Sequence, residues 1–313
     1  MEKNIMERQR IELLIIGAGP AGTAAGVYAA RKNVETVLVS DTYGGQSVVS
    51  PDIKNWIGTP SISGHDLAES FKKHLKEYEG NSLTILESRV TSLQEKDGAL
   101  VATCKNGSTL EAQAVLIASG ADRRRITVPG ADDFEHKGLT YCASCDGPLF
   151  TDKDVVVIGG GNAGFETAAQ LLAYTKSVTL LHRNDTYKAD AITVTKVLEH
   201  PNMTGITNAN ITSVFGDGLV KGITYEAHGE EKTLAVEGVF VEVGLIPSTG
   251  VVGDLAEKDA IGRIVIDPRT QQTSHKKIWA AGDCCDNMFH QNNIAAGDAV
   301  KAIEHLYLAL RTQ

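Results

Sequence analysis

The sequence predicts an α/β protein with two Rossmann-like domains, and this prediction depends on a long-range repeat. One copy, IELLIIGAGPAGTAAGVYAARKNVETVLVS, begins at Ile11, and the other, KDVVVIGGGNAGFETAAQLLAYTKSVTLLH, begins at Lys153. Each copy reads as a short β-branched strand, a glycine turn, an amphipathic helix and a second β-branched strand. Because one such turn holds one pyrophosphate, the two copies indicate two separate dinucleotide-binding sites.

Length and composition agree with two domains of ordinary size. The chain has 313 residues, of which 42% are hydrophobic and 22% are charged, as expected of a packed globular protein. The net charge of −9 provides no basic field, so we expect no nucleic-acid partner. The start, MEKNIMERQR, lacks the apolar core of a signal peptide. No apolar run approaches the ~18 residues of a membrane span, so we expect a cytoplasmic protein without a membrane partner.

The segments around the repeat read as further helices and strands. Residues 63–78 have helical spacing, with Leu67, Phe71 and Leu75 on one face. Residues 83–118 and 210–245 are rich in short strands. The run KKIWAAGDCCD is a strand that ends at Gly282-Asp283. A last helix carries its apolar positions at helical spacing: Ala296, Ala299, Val300, Ile303 and Leu306.

The first glycine turn has the G-x-G-x-x-G pattern after the strand 13–16, with glycines at Gly17, Gly19 and Gly22. The three glycines allow a tight turn, close approach of a pyrophosphate and close packing of helix on strand. The helix N-terminus then turns free N–H groups toward the phosphates. The second strand lacks a clear acid at the usual ribose position, which leaves Ser40 or Asp41 as the candidate ribose partner.

The second turn repeats the pattern with Gly159, Gly161 and Gly164. Its second strand ends in LLHRND, so His182 and Arg183 stand where NAD-specific sites carry an acid, and Lys188 follows. Cations at this place suit the 2′-phosphate of NADP, although Asp185 and Asp190 dilute the positive charge. A solvated basic turn is the alternative. We therefore favour NADPH and keep NADH as a possibility.

The pair Cys142 and Cys145 in YCASCDG has three candidate roles. A zinc site needs about four ligands, but Cys104 stands alone and Cys284-Cys285 are adjacent. The chain has five cysteines, and this odd number favours a reducing compartment. Structural disulfides are uncommon in such a compartment. A redox-active dithiol explains more, because two dinucleotides and a dithiol form a path from nicotinamide through flavin to sulfur.

Asp146 directly follows the pair and begins an Asp-Gly dipeptide. Its carboxyl group is a candidate for moving the proton that thiol exchange requires. A turn-forming role is the alternative, and both can hold together. The predicted catalytic residues are therefore Cys142, Cys145 and Asp146, with no metal site.

Five motifs in order carry a resemblance to a known family: GAGPAG, GGQ at 44–46, YCASCDG, GGGNAG and AGD. The chain resembles low-molecular-weight thioredoxin reductases, and also the flavoprotein component of alkyl hydroperoxide reductase, over about residues 11–308. The runs GGQSVVSPDIKNWIG and CDGPLF look closest to the latter. That flavoprotein carries an additional N-terminal disulfide domain that we expect this chain to lack. We therefore expect the disulfide substrate to be a separate protein.

The resemblance implies how the domains are arranged. The second domain, residues 122–250, is inserted in the first, which comprises residues 1–121 and 251–313. The first would bind FAD, and the second would bind NADPH or NADH and carry the CxxC. The family is homodimeric and rotates one domain against the other, so that the dithiol alternates between the flavin and a thioredoxin-like or glutaredoxin-like partner.

The resemblance also assigns residues to roles. Cys145 would face the flavin and Cys142 would attack the partner disulfide. Glu166 would hold the nicotinamide amide, and Asp283 would meet the ribityl chain. The predicted FAD-site residues are Gly17, Gly19, Pro20, Ala21, Gly22, Ser40, Gly45, Gln46, Asn55, Val90, Gly120, Gly282, Asp283, His290, Gln291 and Asn292. The predicted NAD(P)H-site residues are Gly159, Gly161, Asn162, Ala163, Gly164, Glu166, His182, Arg183 and Lys188.

Three places depart from the family pattern. Where NADPH-dependent members have paired arginines, this chain has Arg183-Asn184, and Lys188 replaces a later arginine. Both changes weaken bidentate phosphate recognition. His290 stands where Arg or Lys usually precedes Gln291, and flavin tuning, partner contact or a plain surface position all remain open. Cys284 and Cys285 read as buried small residues, with a redox role as the alternative.

Rival functions follow from the same motifs. The leading hypothesis is a reductase for the disulfide of a thioredoxin-like protein, with NADH or ferredoxin as alternative electron donors. A flavin dithiol oxidase is a second enzyme class, but the complete second glycine turn argues against it. A redox-sensing protein that binds without turnover is the third, and the intact CxxC with its aspartate argues against it.

Overall fold

A computed structural model describes residues 10–50 and 53–312 of the chain. The first nine residues, where we expect no export signal, lie outside the described part. The chain divides into two compact units. One comprises residues up to Asp122 together with those from Ile246 onward, and the other runs from Arg123 to Leu245. The sequence placed these boundaries after residues 121 and 250.

The helices and strands follow the predicted order. The N-terminal part of the first unit contains β1 (Arg10–Ala18), α1 (Pro20–Arg31), β2 (Thr36–Tyr43), α2 (Gly64–Lys76), β3 (Leu83–Glu87), β4 (Val90–Lys96), β5 (Ala99–Cys104) and β6 (Thr109–Ile117), followed by β7 (Ala121–Arg123) at the boundary. The second unit contains β8 (Leu139–Thr140), α3 (Ala143–Asp146), β9 (Asp154–Ile158), α4 (Asn162–Leu171), β10 (Ser177–Leu181), α5 (Ala191–Leu198), β11 (Met203–Ile206), β12 (Ala209–Asp217), β13 (Leu219–Ala227), β14 (Glu230–Ala235) and β15 (Gly238–Val241). The chain then returns through β16 (Leu245–Pro247) to β17 (Ile278–Ala280) and α6 (Asn292–Arg311).

The first unit is built on a mixed sheet with the order β3-β2-β1-β6-β5-β4, and β17 pairs with the second half of β6. The strands β3, β2, β1, β6 and β17 run parallel, whereas β5 pairs antiparallel with both β6 and β4. The chain leaves β1 toward β2 on one side and later adds β6 on the other. The carboxyl ends of β1 and β6 therefore form the crevice in which a parallel sheet binds ligands.

The central parallel strands of this unit, β1 and β6, are buried on both faces, as such sheets require. Leu13, Ile15 and Leu116 point to the face covered by α1 and α6, and Leu14, Val115 and Ile117 point to the other. These β-branched and leucine side chains alternate faces along each strand because successive residues of a strand point in opposite directions. The uniformly apolar strands of the sequence thus become the centre of a double-sided core.

The second unit is built on a parallel sheet with the order β11-β10-β9-β15-β8. Strand order again reverses, here between β9 and β15. A separate antiparallel sheet, β12-β13-β14, follows in the chain and contributes Val214, Ile223 and Tyr225 to the core. Both units therefore have the Rossmann-like α/β architecture, and the predicted fold class is confirmed.

The two predicted helices outside the repeat are present. Leu67, Phe71 and Leu75 are buried in α2, and Ser63 caps its N-terminus by accepting from the Asp66 N–H. The buried face of α6 differs slightly from the prediction: it consists of Ala295, Asp298, Ala299, Ala302, Ile303 and Leu306. In the described part of the chain, no helix combines the length and apolarity needed to cross a membrane.

Candidate active site

The first glycine turn packs so tightly that its first and third glycines, Gly17 and Gly22, cannot be replaced without movement. A Cβ on Gly17, whose φ is +108°, would lie 2.4 Å from the carbonyl oxygen of Ala118. A Cβ on Gly22 would lie 1.8 Å from the carbonyl oxygen of Gly17. Gly19 is the N-cap of α1, and no side chain among the described residues caps this helix. Its first N–H groups are therefore available to a ligand. This geometry suits a bound pyrophosphate.

Five predicted flavin-side residues of the first unit meet near the N-terminus of α6. The amide nitrogen of Gln46 donates to the carbonyl oxygen of Ala121 and, at 3.4 Å, to Asp283. The amide nitrogen of Asn55 donates to Oε1 of Gln291 at 3.2 Å. Ser47, which the sequence did not single out, donates to Oδ1 of Asn292 at 2.8 Å.

The carboxyl ends of β6 and β17 frame this region. Gly120 follows β6 and Gly282 follows β17, and both have positive φ. Gly45, the second glycine of the GGQ motif, lies beside Gly19, because a Cβ on Gly19 would be 3.7 Å from the Cα of Gly45. Strand ends, glycine turn and polar side chains thus form one cradle in the first unit, and the cradle fits FAD.

Other residues predicted for this site have different surroundings. Ser40 is buried and donates to the carbonyl oxygen of Thr42 at 2.6 Å. Asp41 is exposed and forms two contacts with Arg89 at 2.9 and 3.3 Å, which lower the pKa of its carboxyl group. The Val90 side chain is buried in the core.

His290 lies beside Asp283. Its Nδ1 is 3.4 Å from the Asp283 carboxylate but is buried and has no well-formed hydrogen bond to any described residue. The contact is therefore an ion pair only when the imidazole is protonated. An orphaned ring nitrogen here suits a group that receives a ligand.

The second glycine turn has the same construction. A Cβ on Gly159, whose φ is +130°, would lie 2.1 Å from the carbonyl oxygen of Glu242, and a Cβ on Gly164 would lie 1.9 Å from that of Gly159. Gly161 caps α4 and has open space where a Cβ would stand. The side chain of Asn162 accepts from the Asp190 N–H at 2.8 Å, and Ala163 is exposed in the first turn of α4.

The predicted cations after β10 divide into two kinds. His182 is buried: the Gly160 N–H donates to its Nδ1 at 3.2 Å, and its Nε2 lies 2.9 Å from the carbonyl oxygen of Thr186. Arg183 and Lys188 are exposed, and so is Glu166 on α4. The histidine therefore holds the turn together, while the arginine and lysine face solvent where a phosphate could approach.

Cys142 and Cys145 are joined by a disulfide bond, with their Cα atoms 5.3 Å apart. Cys142 caps the single-turn helix α3, and the Cys145 N–H lies 3.2 Å from its Sγ. The hydroxyl of Thr140 donates a hydrogen bond to the carboxylate of Asp146. The same hydroxyl accepts a hydrogen bond from the Cys142 N–H at 3.4 Å. Both cysteines are half-buried. The disulfide is thus partly accessible and linked to the aspartate through one threonine.

The remaining cysteines are buried. Cys104, Cys284 and Cys285 are buried, and the sulfur atoms of the last two are 3.9 Å apart. Cys284 Sγ lies near the carbonyl oxygens of Ile117 and Ala281. Among the described residues, no group of three or more His, Cys, Asp or Glu is arranged to hold a metal ion.

Sequence reasoning did not identify Thr140, Thr167 and Glu242. Thr140 lies two residues before the CxxC, so a hydroxyl at that spacing was a detectable signal. Thr167 donates to Oε1 of Glu242 at 2.7 Å, and this pair joins α4 to the end of β15. The pair is 75 residues apart in the chain, and only the strand order brings it beside the glycine turn.

Two dinucleotide cradles and a disulfide-bonded CxxC define the class of flavin-type disulfide oxidoreductases. The model of the pyridine nucleotide-disulphide oxidoreductase family matches residues 11–305. The chain belongs to this family, and the resemblance inferred from its motifs is confirmed. Membership implies FAD and a pyridine nucleotide as cofactors.

Curated relatives share 37% identity with most of this chain. One is an NADH dehydrogenase of Bacillus subtilis (strain 168), aligned over 298 residues, which are 95% of this chain and 58% of the relative. Another is the F component of alkyl hydroperoxide reductase in Escherichia coli (strain K12), aligned over 304 residues, which are 96% and 58%. The chain thus spans little more than half the length of these relatives.

Solved structures match nearly the whole chain. Thioredoxin reductase from Streptococcus pyogenes MGAS5005 has a TM-score of 0.88 at 32% identity, with 98% of this chain and all of that one covered. Thioredoxin reductase from Giardia duodenalis has a TM-score of 0.91 at 30% identity and the same coverage.

Proposed function

We propose that this chain is a flavin-dependent reductase that passes electrons from NADPH, through FAD and the Cys142–Cys145 disulfide, to the disulfide of a thioredoxin-like or glutaredoxin-like protein. One observation carries the proposal: the half-buried disulfide belongs to the same unit as the second glycine turn. Such a cysteine pair, in a chain with two dinucleotide cradles, suits electron transfer better than a structural staple.

The chain's own residues suit both halves of the reaction. Bound FAD would supply two-electron transfer between the nicotinamide and sulfur. The overall first half is NAD(P)H, a proton and the disulfide giving NAD(P)⁺ and two thiols. In the second half, Cys142 forms a bond to one partner sulfur as the partner disulfide breaks. Cys145 then attacks Cys142, which restores the internal disulfide and releases the partner as a dithiol.

Two neighbours favour Cys142 as the attacking sulfur. The Cys145 N–H that points at Sγ of Cys142 would stabilise negative charge there. Asp146, held by Thr140, is available to take and return the exchange proton. Leu149 is 58% exposed four residues after Cys145 and offers an apolar contact to a docking partner. A homodimer and a domain rotation stay part of this proposal.

NADPH is the first choice of donor because Arg183 and Lys188 are exposed at the predicted 2′-phosphate position. NADH is the second candidate, since the His182 ring is engaged within the turn and one relative of this chain is called an NADH dehydrogenase. The two differ only in that phosphate. Anaerobic stopped-flow reduction of the flavin by each nucleotide, side by side, distinguishes them.

The experiment that tests the function compares the FAD-loaded wild type with Cys142→Ser and Cys145→Ser. Both variants should keep rapid flavin reduction by NADPH but lose reduction of a bacterial thioredoxin, used as the probe. Ser144→Ala is the matched control, because Ser144 lies exposed between the cysteines and should keep both activities. Thioredoxin reduction that survives in both cysteine variants would refute the proposal.

A further inference from the structure

Glu242 lies at the point of the second sheet where ligands of Rossmann-like domains bind. Strand order reverses between β9 and β15, and dinucleotides lie across the carboxyl ends of the strands at such a reversal. Glu242 is the first residue after β15, and its N–H donates to the carbonyl oxygen of Ile158, the last residue of β9, at 2.8 Å. Its backbone is therefore fixed at the edge of this crevice.

The glycine turn rests on the same residue. The carbonyl of Glu242 lies where a Cβ on Gly159 would stand, so the turn and Glu242 are in direct contact. Arg183 follows β10, on the opposite side of β9. A dinucleotide with its pyrophosphate at the turn and its adenosine end near Arg183 would extend its second ribose toward β15.

The carboxyl group is oriented and has a free oxygen. The hydroxyl of Thr167 donates to Oε1 at 2.7 Å, and within the described ranges Oε2 has no hydrogen-bond partner. Burial raises the pKa of Glu242 to about 7, and Glu166 acts in the same direction, while Thr167 and Arg123 act against it. The unused oxygen is thus a half-buried acceptor held in one direction.

We propose that Glu242 is a binding residue for the nicotinamide-side ribose, accepting a hydrogen bond from a ribose hydroxyl at Oε2 while Thr167 orients the carboxyl group. This inference rests on the proposed pyridine-nucleotide function. The contact would fix the second ribose and hence the ring attached to it. It is common to NADH and NADPH, because the two differ at the other ribose.

Fragments of the nucleotide locate the contact. ADP-ribose carries the second ribose, whereas ADP ends at the pyrophosphate. Calorimetric titration of the FAD-loaded protein with each fragment should give about tenfold weaker ADP-ribose binding for Glu242→Leu and a smaller loss for Glu242→Gln, which retains an acceptor. ADP binding should stay within about twofold of the wild type. Glu237→Leu, at the amino end of the same strand, is the matched control and should change neither affinity.

Each outcome is decisive. Unchanged ADP-ribose binding in Glu242→Leu would overturn the inference. Equal losses of ADP and ADP-ribose would overturn it as well, because the residue would then only support the turn. Unchanged ADP binding also proves that the turn of the variant is folded. If the wild-type protein bound neither fragment, the proposed pyridine-nucleotide function itself would be refuted. This outcome differs from those that refute only the role of Glu242.

Discussion

The backbone N–H of Gly160 donates to Nδ1 of His182, and this contact fixes the role of the histidine. Nδ1 accepts, so the ring proton lies on Nε2 and is donated to the carbonyl oxygen of Thr186. The ring also packs against the glycine so closely that a Cβ on Gly160 would lie 2.6 Å from its Cγ. The histidine thus joins the glycine turn to the loop after β10.

His182→Ala should therefore weaken NADH and NADPH binding by a similar factor. Losing two hydrogen bonds and a buried ring costs about 2–4 kcal/mol of stability and loosens the turn that both nucleotides use. Titration calorimetry with each nucleotide, together with thermal unfolding, measures this. His228→Asn, an exposed histidine at a positive-φ turn, should change little. A loss confined to NADPH would mean that His182 contacts the 2′-phosphate directly.

Replacing both exposed cations, Arg183→Ala with Lys188→Ala, should weaken NADPH binding about tenfold, from roughly 0.7 kcal/mol per exposed ion pair. NADH has no 2′-phosphate, so its binding should change less than about twofold. The difference should shrink as salt rises, because exposed charges are screened. Affinities measured at low and high ionic strength test both points. Equal effects on the two nucleotides would place the 2′-phosphate elsewhere.

The sequence predicted those parts of the site whose chemistry is local. The glycine turns need three small residues at fixed spacing before a helix. In both turns the structure shows close backbone contacts at the first and third of these glycines. The CxxC pair was readable for the same reason, since two sulfur atoms three residues apart can bond within one helical turn. The two helices outside the repeat followed from apolar spacing alone.

Tertiary contacts decided what the sequence left undetermined. His182 looked like a cation beside Arg183, but its ring is held inside by Gly160 and Thr186, which periodicity does not reveal. The sequence left Asp41 as a candidate ribose partner, yet Arg89, which lies between β3 and β4, forms an ion pair with it. Glu242 became visible only through the order of β9 and β15. Each of these depends on which strands become neighbours.

A paired glycine experiment tests the first cradle. Gly22→Ala puts a Cβ 1.8 Å from the Gly17 carbonyl oxygen, so the helix must shift, at a cost of about 3 kcal/mol. We expect loss of bound FAD, measured by flavin absorbance after purification. Gly297→Ala, with open space in the exposed part of α6, should instead stabilise by about 0.5–1 kcal/mol. Full flavin content in Gly22→Ala would contradict this packing.

Alkylation should distinguish the two kinds of cysteine. After reduction of the disulfide, Cys142 and Cys145 should react quickly with iodoacetamide, whereas Cys104, Cys284 and Cys285 should react only on unfolding. Burial raises the pKa of the Cys104 thiol, and the hydrogen bond shared with Cys284, together with burial, raises that of Cys285. Mass spectrometry of the native and unfolded protein reads this out. Rapid native labelling of Cys284 would contradict its burial.

The neighbouring cysteines Cys284 and Cys285 should be dispensable for turnover. Cys284→Ala with Cys285→Ala removes two buried sulfur atoms, at a cost of about 1 kcal/mol of stability each. Flavin reduction and thioredoxin reduction should stay close to wild type, because neither sulfur is accessible. Thermal unfolding measures the cost and steady-state kinetics the activity. A large fall in turnover with normal flavin content would instead give the pair a redox role.

Glu242 should make the protein less stable as pH rises toward neutrality. Its carboxyl pKa is about 7 when folded, against an ordinary value of 4.5. Between these values the folded state binds more protons than the unfolded state, so stability falls as pH rises and levels off above about 7. The raised pKa changes the free energy of unfolding by up to about 3 kcal/mol.

Glu242→Gln stays neutral, so its unfolding temperature relative to wild type should increase from pH 4.5 to 7 and then stay constant. Glu237→Gln should follow the wild type throughout. Parallel wild-type and Glu242→Gln curves would show that this carboxyl group ionises normally in the folded protein.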